Sequence, residues 1–551
     1  MQRPSVSEEW QVKKLFRLTD LNRKKLAVVN GDLQKLLHWL IRSFTRFSQV
    51  LIITYEKVME VSRRNLFKGM AVSALMMSAP ALAQLEAPQK WDAEYDIVIV
   101  GGAAAGLSAA TVAADEKLSA VLFEKQSFLG GSSVLNGGMF TVAGTKEQEK
   151  QGIKDSQDLF FKDMMRVGKN KNNPDVVKAF VQTANEQYAF ILNKLKLHPD
   201  TVAHQGYQSV PRSHHFVTSQ VLTEMAAYAK KGGVKIETGA KVLRLVWNEN
   251  HTRIAGVEVE VKGKKQFVLA KKGVLLAAGG FSRNPELLGR YNPPLESAAS
   301  IAGAGTQGDG LLMGLSVGAD MLDVAYIKAT YGFRLNPKHI DEQSQVYWSG
   351  GIIVNKNAKR FTDESQSYKV LADYALAQPE GKSFIVFNRE MVDNDYKNNP
   401  QGRILIEPIV KENKVPAWIY SGATIEEAAK KAGLNPEELA KTVREYNKGI
   451  RNEADAFGRK TLVDVSGKPL PLDKGPFYIM PATAAVISTY CGLRINKDAK
   501  VQNVYGEIIP GLWAAGEMTG GVHGAGYMSG SAFAKAATFG RIAVKDIAKQ
   551  K

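Results

Sequence analysis

The clearest chemical signal in this chain is a run of six small residues, Gly101-Gly102-Ala103-Ala104-Ala105-Gly106, followed 18 residues after Gly106 by Glu124. Each has a task. Gly101 allows a tight turn, the position of Ala103 must be small for backbone to approach a pyrophosphate, and Gly106 lets a helix pack on a strand. The start of that helix points free N–H groups and a positive dipole end at phosphates. A carboxylate at the distance of Glu124 accepts ribose hydroxyls. Ala in place of the middle glycine is a mild departure. The chemistry implied is dinucleotide binding.

The elements needed to position these residues are present. Tyr95-Asp96-Ile97-Val98-Ile99-Val100 reads as a buried strand, a helical run extends to about Glu116, and Ser119 to Phe123 forms a second strand ending at Glu124. Beyond Lys125, a second Gly/Ser loop runs from Gly130 to Met139. Such a loop suits a long ligand crossing the sheet edge towards a buried ring. Val274 to Phe281 is a further apolar strand ending in paired glycine, Gly511 to Gly524 carries Gly-rich turns with Glu517, and a last helix spans Ser531 to Ile547. The expected class is α/β.

With these pieces in hand, the chain resembles the flavoprotein family of soluble fumarate reductases, urocanate reductases and 3-ketosteroid dehydrogenases over nearly all of residues 91–551. The matching motifs include Gly308-Asp309-Gly310, Ile353-Val354-Asn355, Lys359-Arg360-Phe361 with Glu364, and Ala514 to Gly521. The resemblance implies a three-layer, Rossmann-like FAD-binding domain with an inserted α+β capping domain. The expected boundaries are 91–325 and 484–551 for the FAD domain and 326–483 for the cap. It implies non-covalent FAD and hydride exchange between flavin N5 and a C–C or C=C bond. The residues expected around FAD are Gly101, Ala103, Gly106, Glu124, Lys125, Gly131, Ser132, Ser133, Asn136, Gly137, Gly138, Met139, Val242, Ala278, Gly279, Asp309, Glu517, Ser531, Ala532 and Phe533. Glu517 is expected on the ribityl chain. The backbone of Ala532 and Phe533 is expected at the flavin N1/C2=O edge, where a helix start stabilises negative charge.

On the substrate side the chain departs from the fumarate-reducing pattern, which uses arginines and histidines to grip two carboxylates and deliver a proton. The His-Pro-Thr position reads Lys328-Ala329-Thr330, the proton-donating Arg position is Tyr368, a His position is Ser488, and a carboxylate-binding Arg position is Tyr527. The proton-relay Arg and Glu map to Tyr347 and Ser344. A neutral phenol cannot replace a guanidinium fork on a carboxylate. Phenols can donate to a carbonyl oxygen and polarise it. Tyr527, with Ser529, is therefore expected on the carbonyl and Tyr368 in proton transfer, as in the ketosteroid branch. Tyr331 and Tyr490 are further candidates. Two rivals stand beside this reading: a respiratory reductase of an unsaturated carboxylate, with Arg212 or Arg334 holding an acidic group, and a non-catalytic flavin electron-transfer subunit.

Other residues read more plainly. His214 and His215 are adjacent and point apart, so no metal site is expected. His523 sits in a Gly-rich turn where it touches flavin or only backbone. Ser421-Gly422-Ala423-Thr424 reads as the cap of a helix, Thr424 to Arg451, rather than a flavin-attachment motif.

The net charge of +17 divides unevenly. Residues 1–58 hold 11 Lys+Arg against 5 Asp+Glu, and residues 59–83 hold 3 against 1, so +9 remains on the other 468 residues. That remainder does not call for nucleic acid. Ser62-Arg63-Arg64-Asn65-Leu66-Phe67-Lys68, a small apolar run and Ala81-Leu82-Ala83 read as a twin-arginine signal over 59–83, implying the export machinery and a periplasmic location. Met59 is the expected start, with 1–58 upstream sequence or a basic extension. The single cysteine, Cys491, excludes a C-x-x-C-H haem site in this chain. Relatives carry cytochrome domains, so a separate c-type cytochrome or quinone-linked partner is expected beside the small-molecule substrate.

Overall fold

The structure is a computed structural model that describes residues 88–398, 403–462 and 468–550. The expected signal and the residues before it lie outside this set. No helix among the described residues is long and apolar enough to cross a membrane.

Five parallel strands form the centre of the first sheet, in the order Ile508–Ala514, Lys264–Leu276, Ala93–Val100, Ala120–Glu124 and Lys235–Thr238. Ile97 to Val100, Ala120 to Phe123 and Val274 to Leu276 are buried without a polar break. Such runs belong to strands covered on both faces. The long strand Lys264–Leu276 also pairs antiparallel with Ile254–Val261, which pairs with Ala240–Trp247. Helix Ala104–Asp115 packs between Thr218–Lys231 and the last helix, Ser531–Ala548. Its Ala-rich sequence permits the close crossing. A Cβ at Gly540 would stand 2.1 Å from the Ala105 carbonyl oxygen, so the two helices meet backbone to backbone.

The second sheet is built around Phe477–Val486, which pairs antiparallel with Ser383–Asn388, Thr330–Arg334 and Tyr420–Gly422 and parallel with Ala299–Ser300. It therefore runs past both of the expected cap boundaries, 325/326 and 483/484. The expected helix Thr424 to Arg451 is in fact two, Ile425–Lys431 and Pro436–Arg451. Gly433 at φ +73° and Pro436 at the next helix start impose the break. Thr424 caps the first of them, its side chain accepting from the Glu427 N–H at 3.2 Å.

A buried ionic network shapes the cap next to the cavity. Arg360 donates Nε and Nη2 to Glu364 at 2.9 and 2.7 Å and Nη1 to Asp455 at 2.5 Å. Arg459 donates to the carbonyls of Tyr347 and Gly351 at 2.6 and 2.9 Å. Glu364 in turn accepts from the Ile353 N–H at 3.1 Å. The Arg-Phe-x-x-Glu motif is thus a structural clamp. It anchors the segment that leads into helix Tyr368–Leu376, whose N-cap Ser367 accepts from the Val370 N–H.

Candidate active site

A cavity of about 700 Å³ runs from the first glycine turn to the second sheet. Its dinucleotide end is walled by backbone. Gly101 has φ +112°, and a Cβ there would lie 2.3 Å from the Ala277 carbonyl oxygen. At Gly106 a Cβ would lie 1.9 Å from the Gly101 carbonyl oxygen, so the helix can sit on the turn only without a side chain. Glu124 accepts from the Gly102 N–H at 2.8 Å and, with its other oxygen, from the Gln126 N–H at 2.8 Å. The Ser133 hydroxyl accepts from the Ala104 N–H at 3.2 Å, and Ser132 accepts from the Gly303 N–H at 3.0 Å. Lys125 and Asp309 form an ion pair across this end.

Midway, Glu517 lines the cavity and accepts from the Thr489 N–H at 3.0 Å. Burial pushes its carboxyl up, opposed by the Thr489 N–H, Ser488 and the charge of Lys535. Burial also lowers Lys535 to about 8, while Asp323 and Glu517 favour its charge. Its Nζ donates to the Thr519 carbonyl at 2.8 Å. The last helix opens at Gly530, φ +86°, and presents Ala532 and Phe533 to the cavity.

The far end is made of side chains. Tyr490 and Tyr527 stack with ring centroids 4.6 Å apart, and His523 meets Tyr527 edge-on at 5.2 Å. Tyr490 holds φ +55°, a costly conformation for an aromatic residue. The N–H groups of Ala532 and Gly530 at the helix start act on the Tyr527 hydroxyl against its burial. Ser529 acts likewise on the Tyr368 hydroxyl. Burial raises all three phenols, Tyr527 to about 12, so each is a neutral donor at physiological pH. Burial holds His523 well below its ordinary range, and its Nδ1 has no hydrogen-bond partner among the described residues.

Most of the residues singled out from sequence meet at this cavity. Tyr368, Tyr527, Ser529 and the expected FAD residues line it, with three exceptions. Gly106, Gly138 and Ser531 stand behind the wall. At Gly138 a Cβ would strike the Phe216 carbonyl, and Ser531 turns its hydroxyl to the Met528 carbonyl at 2.7 Å.

The two arginine candidates are elsewhere. Arg212 is fully buried between Asp155 at 2.9 Å and Asp163 at 2.7 Å. Arg334 pairs with Glu342 at 2.7 Å and lies over Trp418. His214 bonds Thr145 and the Arg212 carbonyl, His215 pairs with Asp200, and no metal-binding cluster is found among the described residues. Tyr331 is buried, its hydroxyl on Ser383 at 2.8 Å, and Cys491 is a buried free thiol. Several lining residues escaped the sequence reading, among them Arg283, Asp341, Gln343 and Lys369, which lies beside Tyr368 and carries no motif of its own.

The glycine cradle, the acid Glu124 and the helix start beside Glu517 define a dinucleotide-binding flavoprotein site. The chain belongs to the FAD binding domain family, whose model matches residues 96–532. It is 30% identical over 461 residues to a probable fumarate reductase, Ifc3, of Shewanella frigidimarina, covering 82% of this chain and 74% of that one. Among solved structures it is similar to an open conformation of a flavocytochrome c3 fumarate reductase, at 28% identity and TM-score 0.73, over 86% of this chain and 80% of that one. It also shares the fold of a 3-ketosteroid-delta4-(5alpha)-dehydrogenase from Rhodococcus jostii RHA1, at 24% identity and TM-score 0.66, over 85% and 99%. The chain is thus an FAD-dependent oxidoreductase.

The residues present fit that cofactor. The positions where a Cβ would fill the cradle are glycine, and at Gly303 it would press on the backbone of Gly131 and Ser132.

Proposed function

We propose that this enzyme reduces a carbon–carbon double bond conjugated to a carbonyl, with Tyr527 and Tyr368 as its hydroxyl donors. When bound and reduced, FAD would supply a hydride from its ring nitrogen N5. Gly101, Ala103, Glu124, Lys125 and Asp309 would hold the dinucleotide part, and Glu517 with the backbone of Ala532 and Phe533 would hold the ring end. Tyr527, packed against the rings of Tyr490 and His523, donates to the substrate carbonyl. A donor held in place before reaction stabilises the charge that develops there. Tyr368, packed against Trp348, delivers the proton.

The observation that carries this reading is the wall of phenols at the far end of the cavity. Arg283, the arginine among the described lining residues, is on the dinucleotide side, its Nε on the Ala302 carbonyl at 2.6 Å. Phenols pushed above their ordinary range stay protonated at physiological pH and can donate hydrogen bonds to a developing negative charge, although each is a weaker acid than a free tyrosine. The test is re-oxidation of photoreduced, FAD-loaded protein by α,β-unsaturated carbonyl compounds. Tyr527→Phe and Tyr368→Phe should each slow it with FAD retained. Unchanged rates in both would sink the reading.

We further infer that electrons arrive from a separate c-type cytochrome or quinone-linked protein, because one cysteine cannot attach a haem within this chain. The reading also includes export by the twin-arginine route. A precursor that stays cytoplasmic after Arg63→Lys and Arg64→Lys, but not without them, would support it.

A further inference from the structure

Lys369 is the second residue of helix Tyr368–Leu376. Its Nζ donates to Thr330 Oγ1 at 2.7 Å and lies 3.4 Å from the Lys328 carbonyl oxygen. It also stands 5.2 Å from the Tyr490 ring centroid and 5.8 Å from that of Tyr368. Among the described residues no carboxylate comes within ion-pair distance of it. Asp373, one turn further along the helix, pairs with Lys328 instead, and Asp341, which also lines the cavity, pairs with His339 at 3.0 Å. Lys535, the other buried lysine of the cavity, also lacks an ion pair among the described residues, but it bonds the Thr519 carbonyl at 2.8 Å and is favoured by the charges of Asp323 and Glu517. Arg212 has two carboxylates and so does Arg360.

An ammonium partly withdrawn from water and left without a counter-charge is costly to keep. The cost is visible in its acidity, since burial lowers Lys369 to about 7, with Lys328 adding to the effect and Asp373 opposing it. Such a group is ready for an anion that enters with the ligand. Its neighbours fix how many charges it can take. Lys offers one compact charge rather than a fork. Thr330 has its hydroxyl hydrogen free for a second bond, and the adjoining surface is the flat Tyr490–Tyr527 stack.

We propose that Lys369, with Thr330, is the subsite that holds a single carboxylate of the substrate, so that the enzyme selects planar unsaturated monocarboxylates over dicarboxylates and uncharged esters. This rests on the cavity being the substrate site of the proposed reductase. It assigns one oxygen of the conjugated carboxylate to Lys369 and leaves the other, the carbonyl oxygen of the proposed reaction, to Tyr527.

The experiment compares FAD-loaded wild type, Lys369→Met, Lys369→Arg and Tyr527→Phe. Binding of 3-phenylpropionate to oxidised protein is read from the flavin absorbance, and turnover is measured with cinnamate, methyl cinnamate and fumarate. Loss of a charge-assisted bond should weaken 3-phenylpropionate binding about 30-fold in Lys369→Met and raise KM for cinnamate alike. Methyl cinnamate should change by less than about threefold, and Lys369→Arg should recover most of the acid binding. Parallel losses for acid and ester would overturn the proposal, because they would place Lys369 in proton transfer or in structure. So would equal binding in wild type and Lys369→Met, or wild type that binds no monocarboxylate or prefers fumarate. The binding measurement needs no turnover. Full activity in Tyr527→Phe would therefore defeat the tyrosine reading while leaving the Lys369 result standing.

Discussion

At its dinucleotide end the cavity wall is backbone, drawn tight around glycines such as Gly101 and Gly106. At the other end it is the tips of Tyr368, Lys369, Tyr490 and Tyr527, delivered from three separated segments. The first end is intolerant at Gly101 and Gly106, because a Cβ there meets a backbone carbonyl just beyond a strand end. The second is adjustable, because a side chain can change while the elements that deliver it stay packed. Recognition of a shared cofactor therefore resides in backbone shape, and choice of substrate in a few exchangeable tips.

The contrast predicts a graded series of effects. Gly106→Val should be the most severe, since its side chain would collide with the Gly101 carbonyl and nothing nearby can yield. No FAD-loaded protein is expected, as read by flavin absorbance per protein. Recovery of normal FAD content would break the comparison.

Arg212→Met follows. It strands the carboxylates of Asp155 and Asp163 in the interior, which should cost about 3–5 kcal/mol in urea unfolding while sparing the folded fraction's activity. Tyr527→Phe should leave stability and FAD content unchanged and lower turnover roughly 100- to 1,000-fold, the usual loss for one preorganised donor.

The smallest effect is in pH dependence. Lys369 carries its charge below about 7 and loses it above. Binding of a monocarboxylate to the oxidised enzyme should weaken by up to about tenfold per pH unit above 7, and binding of the ester should stay flat. The neighbouring phenols Tyr368 and Tyr490 are raised and remain neutral through that range. Lys328 and Asp373 pair with each other.

Legibility in the sequence followed the same divide. The strand–turn–helix–strand run from Tyr95 to Glu124 could be read directly because its contacts are among near neighbours and each glycine answers a local steric demand. Tyr527 and Tyr368 could be placed from motif positions. The helix expected from Thr424 to Arg451 failed locally, where Gly433 and Pro436 outweigh an amphipathic pattern that continues across them. Arg212 and Arg334 were misjudged for a different reason. Nothing in the run Pro211-Arg212-Ser213 records that Asp155 and Asp163 will close on it, and nothing around Lys369 records that no carboxylate will.

The chain on its own thus specifies dinucleotide binding and the α/β class, which depend on short-range geometry and on residue type at set spacings, while FAD and the tyrosine positions came from the resemblance to the flavoprotein family. Which cations find a carboxylate partner was decided by folding. Whether a positive charge serves structure or ligand depends on what stands within about 4 Å of it, at a Coulomb energy that rises steeply as water is excluded. For Arg212 and Lys369 those neighbours come from tens of residues away, and the three-dimensional packing alone supplies or withholds the compensating charge.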